Sequence, residues 1–164
     1  MKKITTLPLL FTILLCIYAC ADYKPIFGSA SLQFEIADYS VEGDKKLGNK
    51  IYSKLYNLSK SNKNQKETTS VVINIKVLKE KNSTSKDATG KILEYKINLN
   101  TKVIVKNYFT NDKLIDKNFI SSSSYKVQDQ YSETIKLENK VIKDLINKTY
   151  QELLIKLSEN ILTK

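Results

Sequence analysis

The chain has 164 residues with 27 basic and 17 acidic side chains, and every basic residue is Lys. It contains no His, the usual base and metal ligand of enzyme sites at neutral pH, so we expect no enzymatic activity, no bound metal and no soluble cofactor. Arg, which reads bases and grips phosphates with paired hydrogen bonds, is also absent, so we expect no nucleic-acid partner.

The N-terminus has the pattern of an export signal. A short positive start is followed by an uncharged apolar run over residues 4–17, which is too short to cross a bilayer comfortably. The sequence Ile17-Tyr-Ala-Cys20 that ends this run resembles the lipobox of bacterial lipoproteins. The resemblance implies cleavage of residues 1–19 as a signal peptide and a covalent lipid on Cys20. The alternative is an ordinary signal peptide that contains a Cys.

Residues 20–30 are predicted to form a lipidated tether, because Pro25 and Gly28 disrupt regular structure. Cleavage before Cys20 would leave 25 Lys against 17 acidic residues, a net charge of about +8. The Lys excess is explained either by a compositional bias toward Lys, Asn, Ile and Ser, or by an anionic partner such as lipid head groups or phosphorylated sugars.

The first half of the domain reads as a strand and a helix. Apolar and polar residues alternate over 31–37, which predicts a short strand, and 41–44 is predicted to be a turn. Asp44 can cap the helix predicted over 45–58. That helix carries an apolar stripe at spacings of four, four and three, formed by Leu47, Ile51, Leu55 and Leu58. A polar loop is predicted over 59–67.

Three more strands and a long helix follow. Alternation predicts strands over 69–79 and 91–106, separated by a polar loop over 80–90. After a turn at 110–113, a fourth strand is predicted over 114–127. Phe119 and Ile120 are predicted to anchor this strand, but its register stays open because its two faces are too similar.

Residues 133–161 return to a helical period and end the domain. The order β-α-β-β-β-α predicts one α+β domain over 31–164. Its architecture is a two-layer sandwich with two helices on one face of a four-stranded sheet.

A candidate ligand-binding site follows from this topology. If the last three strands form a meander, four lysines gather near Tyr125 at one end of the sheet: Lys81, Lys86, Lys91 and Lys126. Several ammonium groups acting together could bind a phosphorylated or carboxylated ligand. The alternative is a solvated loop that is rich in Lys for solubility.

The chain resembles the LptE family of lipopolysaccharide-assembly lipoproteins, especially its alphaproteobacterial branch. The resemblance covers nearly the whole chain. It rests on the lipobox, the stretch Tyr23-Lys-Pro-Ile-Phe-Gly28, the helix with Lys46-Leu-Gly48, and the Ser-rich passage 119–125 before the last helix.

The resemblance implies an outer-membrane lipoprotein, anchored by its lipid, that faces the periplasm or fills the lumen of the LptD β-barrel. Its partners would be LptD and lipopolysaccharide, which it would help to deliver to the outer leaflet. The family's use of basic residues near a sheet end implies lipopolysaccharide contacts at Lys81, Lys86, Lys91 and Lys126. Two alternatives remain: an accessory lipoprotein of a phospholipid-transport complex, and an activator of a cell-wall synthase.

Overall fold

The computed structural model describes residues 32–61 and 68–161. The predicted signal peptide and the tether with Cys20 therefore lie outside the described residues. Six elements follow one another in the chain: β1 (Phe34–Gly43), α1 (Lys45–Ser61), β2 (Thr69–Lys86), β3 (Ile92–Asn107), β4 (Lys113–Lys126) and α2 (Tyr131–Ile161).

The four strands form one mixed sheet in the order β1-β2-β3-β4. β1 runs parallel to β2 because α1 carries the chain back between them, whereas β2, β3 and β4 pair antiparallel as a meander. Both helices contact the sheet, and alternate strand residues are buried beneath them. The predicted α+β sandwich is confirmed.

The hydrophobic core lies between the sheet and the helices. Val71, Ile73, Ile75 and Val77 of β2 are each at most 1 % exposed, and their strand neighbours point to the opposite face. On the helix side, the core is formed by the predicted apolar stripe of α1 and the buried residues of α2. At about 1.5 Å per residue, α2 is about 46 Å long, and it packs mainly against β4.

A tight junction joins β1 to α1. Gly43 ends β1 at φ +73°, and a Cβ atom built there would lie 2.1 Å from the carbonyl oxygen of Val77. The Asp44 carboxylate accepts a hydrogen bond from the backbone N–H of Leu47 at 3.1 Å, which confirms the predicted cap. Gly48 then lets the first turn of the helix approach Val41 of β1, because a Cβ at Gly48 would lie 2.4 Å from its side chain.

Two predicted boundaries were wrong because strands can continue without an apolar face. β1 runs into the predicted turn at 41–44 as far as Gly43, after a bulge at Ala37 that breaks the alternation. The predicted loop at 80–90 is mostly strand, since β2 extends to Lys86 and pairs with β3. Only the turn around Asp87–Gly90 leaves the ladder, with Gly90 at φ +87°.

The register of β4, which the sequence left open, places Phe119 opposite Thr101 and Ile120 opposite Asn100. Phe119 is buried, but Ile120 is 69 % exposed. The prediction that both residues anchor the strand was therefore wrong for Ile120, because adjacent strand residues point to opposite faces.

Candidate functional site

The predicted lysines lie toward one end of the sheet, in two separate environments. Lys86 pairs with Ile92 at the tip of the β2–β3 hairpin, Lys91 lies in the turn, and Lys126 pairs with Glu94. The structure thus brings these three to the same end. Lys81 lies five residues back along β2 and points to the helix-covered side, where Glu138 of α2 meets it.

Lys81 is held by three side chains: Tyr125, which the sequence analysis placed near it, and Glu138 and Tyr95, which sequence reasoning missed. Its Nζ lies 2.6 Å from Oε2 of Glu138 and 4.2 Å from the centre of the Tyr95 ring. The Tyr125 hydroxyl donates to the same carboxylate oxygen at 2.7 Å, and the two tyrosine rings are stacked 5.9 Å apart. The charge of Lys81 is therefore neutralised within the domain. We call these four residues the Lys81 cluster.

The electrostatics of the Lys81 cluster favour the ion pair. Burial alone would lower the pKa of Lys81, but its interactions with Glu138 and Tyr125 outweigh that effect and hold the pKa above its ordinary value. Burial likewise opposes ionisation of Glu138, yet Lys81 and Tyr125 lower its pKa. Both groups are thus charged at neutral pH. The cluster fastens the first part of α2 to β2.

The lysines at the hairpin end are more available to a ligand than Lys81. In the part of the chain that the structure describes, the ammonium groups of Lys86, Lys91 and Lys126 have no ion-pair partner within 4.0 Å. The turn beside them is rigid, because the Asp87 carboxylate accepts hydrogen bonds from the N–H groups of Thr89 and Lys91. These lysines can therefore meet an anionic ligand at a fixed hairpin end.

A second basic surface, which the sequence analysis did not identify, lies between the helices. A groove of about 570 Å³ separates α1 from α2 and is lined by Lys46, Lys50, Lys54, Lys143 and Ile146, with Asn and Ser between them. Like charges four residues apart destabilise a helix, and α1 contains no acidic residue to offset them. The i, i+4, i+8 spacing of Lys46, Lys50 and Lys54 is the sequence signal that could have indicated this surface. The contribution of Lys143 could not be predicted, because it depends on how α2 packs beside α1.

The sheet face opposite the helices is polar. Three rows that cross β2, β3 and β4 carry mainly amides, hydroxyls and charges: Asn74-Ile104-Asp116, Glu80-Asn98-Ser122 and Asn82-Lys96-Ser124. Between them, Leu78 and Ile120 flank Asn100 and are both exposed. We call this surface the open face. It offers hydrogen-bonding groups over three neighbouring strands.

Two further properties bear on function. Within residues 32–61 and 68–161, no group of three or more His, Cys, Asp or Glu side chains is placed to hold a metal ion. In the same ranges, no helix combines the length and the apolar character needed to span a bilayer.

Solved structures of bacterial lipoproteins share this fold. Rare lipoprotein B from Shewanella oneidensis aligns with a TM-score of 0.54 at 14 % identity, over 77 % of this chain and 97 % of its own. Lipoprotein B from Nitrosomonas europaea aligns at 0.57 and 18 % identity, over 80 % and 86 %. A minor lipoprotein from Acinetobacter baumannii aligns at 0.56 and 13 % identity, over 79 % and 94 %. At these identities the likeness concerns the fold.

No protein-family model matches the chain. No curated protein matches it either.

Proposed function

We propose that this protein is an outer-membrane lipoprotein that fills the lumen of the LptD β-barrel. In this role it supports assembly of the barrel and assists delivery of lipopolysaccharide to the outer leaflet. Residues 1–19 act as the signal peptide and Cys20 carries the lipid. The lipobox-like sequence Ile17-Tyr-Ala-Cys20 and the lipoprotein folds that resemble this one support the anchor.

The observation that carries the plug role is the open face. The interior of a large membrane barrel is polar, so a protein inside it needs a surface that exchanges water for hydrogen bonds with polar side chains. One face of the sheet is closed by the helices, and the other presents amides, hydroxyls and paired charges such as Lys102 with Asp116 at 3.6 Å. This two-sided construction suits a binding and assembly protein rather than an enzyme.

The lipopolysaccharide contact is proposed at the hairpin end. Lys86, Lys91 and Lys126 lie together there without ion-pair partners among the described residues. Lys81 contributes indirectly, because its ammonium group is already paired with Glu138 and fixes α2 beside this end. The three lysines outnumber the carboxylates of Asp87 and Glu94 at the same end. The remaining positive charge suits the phosphate groups of lipopolysaccharide, and the lysines must act together because single surface contacts are weak in salt.

A pull-down of the tagged full-length protein from membranes in mild detergent tests the proposal. We expect a large, heat-modifiable β-barrel to co-purify in near-equal amount. Recovery of inner-membrane transporter subunits or of a cell-wall synthase, without a barrel, would instead support one of the two alternatives.

A further inference from the structure

The β3–β4 turn presents two aromatic side chains to solvent. Phe109 is 80 % exposed and Tyr108 54 % exposed, and their rings meet edge to face with centroids 5.3 Å apart. Neither ring contributes to the buried core of the domain. The two adjacent rings form a small apolar patch, the kind of surface that an external partner can cover.

The turn is rigid, and its backbone N–H groups are already satisfied. The Asn107 side-chain oxygen accepts from the N–H groups of Phe109 and Thr110, while the Asn107 carbonyl accepts from the N–H of Asn111. The Tyr108 N–H donates to the Ser70 carbonyl at 2.9 Å. The remaining two N–H groups, of Asn107 and Asp112, also have acceptors within the turn.

This hydrogen bonding matters because a backbone N–H that enters a lipid environment without a partner costs several kcal/mol. Every backbone N–H from residue 107 to residue 112 has an acceptor inside the protein. The turn can therefore leave bulk water without an unpaired backbone N–H group. Its two aromatic rings are the kind of side chain that is favoured at the boundary between head groups and acyl chains.

The position of the turn matches the proposed anchor. β1 begins at Phe34 beside Thr69, and the aromatic turn is bonded to the adjacent Ser70, so both lie at the same end of the sheet. Only 11 residues, 21–31, separate Cys20 from buried Leu32. Even fully extended, a chain of that length spans at most about 40 Å.

The two hairpin turns differ in character. The turn at the opposite end of the sheet is flanked by Lys86 and Lys91 and carries no aromatic residue. Near the aromatic turn, Lys106 bonds to Asn111, Lys113 is paired with Asp116, and the Asp112 carboxylate accepts from Thr110, which leaves the two rings as its outermost apolar groups. The two hairpin turns are therefore unlike, one aromatic and the other basic, and the only exposed aromatic ring described near the basic turn is that of Tyr131.

We propose that the Tyr108–Phe109 turn inserts into the head-group region of the membrane and acts as a second contact beside the acyl chains on Cys20. This inference rests on the lipid anchor of the proposed function, and its occupant is the lipid surface. A partner protein that covers the rings is the competing outcome. The contact would fix how the domain stands on the membrane before it enters the barrel, with the basic end directed away from the lipid.

The lack of Trp in the chain provides a direct test. We would place a single Trp at the turn with Phe109→Trp, and a matched Trp at the opposite end with Tyr131→Trp, since Tyr131 is 78 % exposed. Each full-length protein is incorporated into phosphatidylglycerol-containing vesicles without the barrel. We expect the Trp at position 109 to shift to shorter wavelength and to be quenched by brominated acyl chains, while the Trp at position 131 is unaffected.

Loss of the aromatic ring gives a second measurement. Phe109→Ser should weaken partitioning of the chain without acyl groups by about tenfold, from the apolar area removed, whereas Tyr131→Ser should not change it. An unquenched, unshifted Trp at position 109 in a vesicle-bound protein would overturn the proposal. Mass spectrometry of the N-terminal peptide tests acylation of Cys20 separately, because quenching at position 109 supports the proposal with or without the acyl chains.

Discussion

Replacing Lys81 by Met tests whether the Lys81 cluster holds α2 against the sheet. Met keeps most of the length of the side chain and removes only the ammonium group. The side chains of Lys81 and Glu138 are 34 % and 16 % exposed, so their ion pair is better shielded than a typical surface pair. We expect about 0.5–1 kcal/mol from the ion pair and about 0.5–1 kcal/mol from the cation–π contact with Tyr95.

The free energy of unfolding should therefore fall by about 1–2 kcal/mol, measured by urea titration with circular dichroism at 222 nm. A double-mutant cycle with Glu138→Gln should give a coupling energy of about 1 kcal/mol. The matched control is Lys76→Met, because the Lys76–Glu42 pair is longer at 3.6 Å and is 54 % and 67 % exposed. It should cost no more than a few tenths of a kcal/mol.

The direction in which folding stability changes with pH follows from the pKa of Glu138. The pKa of Glu138 is lowered in the folded state from its ordinary value of 4.5. Its contribution to stability is therefore fully present above pH 4.5 and is lost as the pH falls through the folded pKa. The wild type should lose more stability than Lys81→Met in this acid range. Equal acid sensitivity, or a coupling energy no larger than that of Lys76 and Glu42, would refute the reasoning.

Three other predictions concern the fold and the basic end. Gly43→Ala should cost about 2–3 kcal/mol, whereas Gly90→Ala should cost about 1 kcal/mol. Both glycines have positive φ, but only at Gly43 would the new Cβ meet a backbone atom, the Val77 oxygen; equal losses in urea titrations would contradict this difference. Phe119→Ala should cost about 3–5 kcal/mol and Ile120→Ala less than about 0.5 kcal/mol, and the reverse order would mean that the register of β4 is wrong. Replacing three lysines together by Gln (Lys86, Lys91 and Lys126) should weaken lipopolysaccharide capture by the purified protein without altering its circular dichroism. Unchanged capture would show that these lysines do not form the binding site.

The parts of the fold that could be predicted from the sequence are the elements with one buried face and one face exposed to solvent. The stripe of α1, its cap at Asp44 and the alternation of β3 all carry this signal. The outer half of β2 does not, because both of its faces are exposed and its polar residues resemble a loop. The far part of β1 escaped prediction because the bulge at Ala37 shifts the alternation by one residue.

The candidate site, too, could be predicted from the sequence only in part. Three lysines could be placed at one end of the sheet because a meander brings consecutive hairpin ends together. The partner of Lys81 could not be predicted, because Glu138 is 57 residues away in the chain and meets it only through the packing of α2. The aromatic turn could not be predicted for a similar reason, because the exposure of Tyr108 and Phe109 depends on the hydrogen bonding between the turn and β2.

Site-specific photo-crosslinking from the open face tests the central claim most directly. A photoreactive amino acid at Ile120, which is 69 % exposed and lies on that face midway along β4, should form an adduct with the LptD barrel in living cells after irradiation and none without irradiation. Adducts confined to inner-membrane transporter subunits or to a cell-wall synthase, with no barrel adduct, would contradict the account.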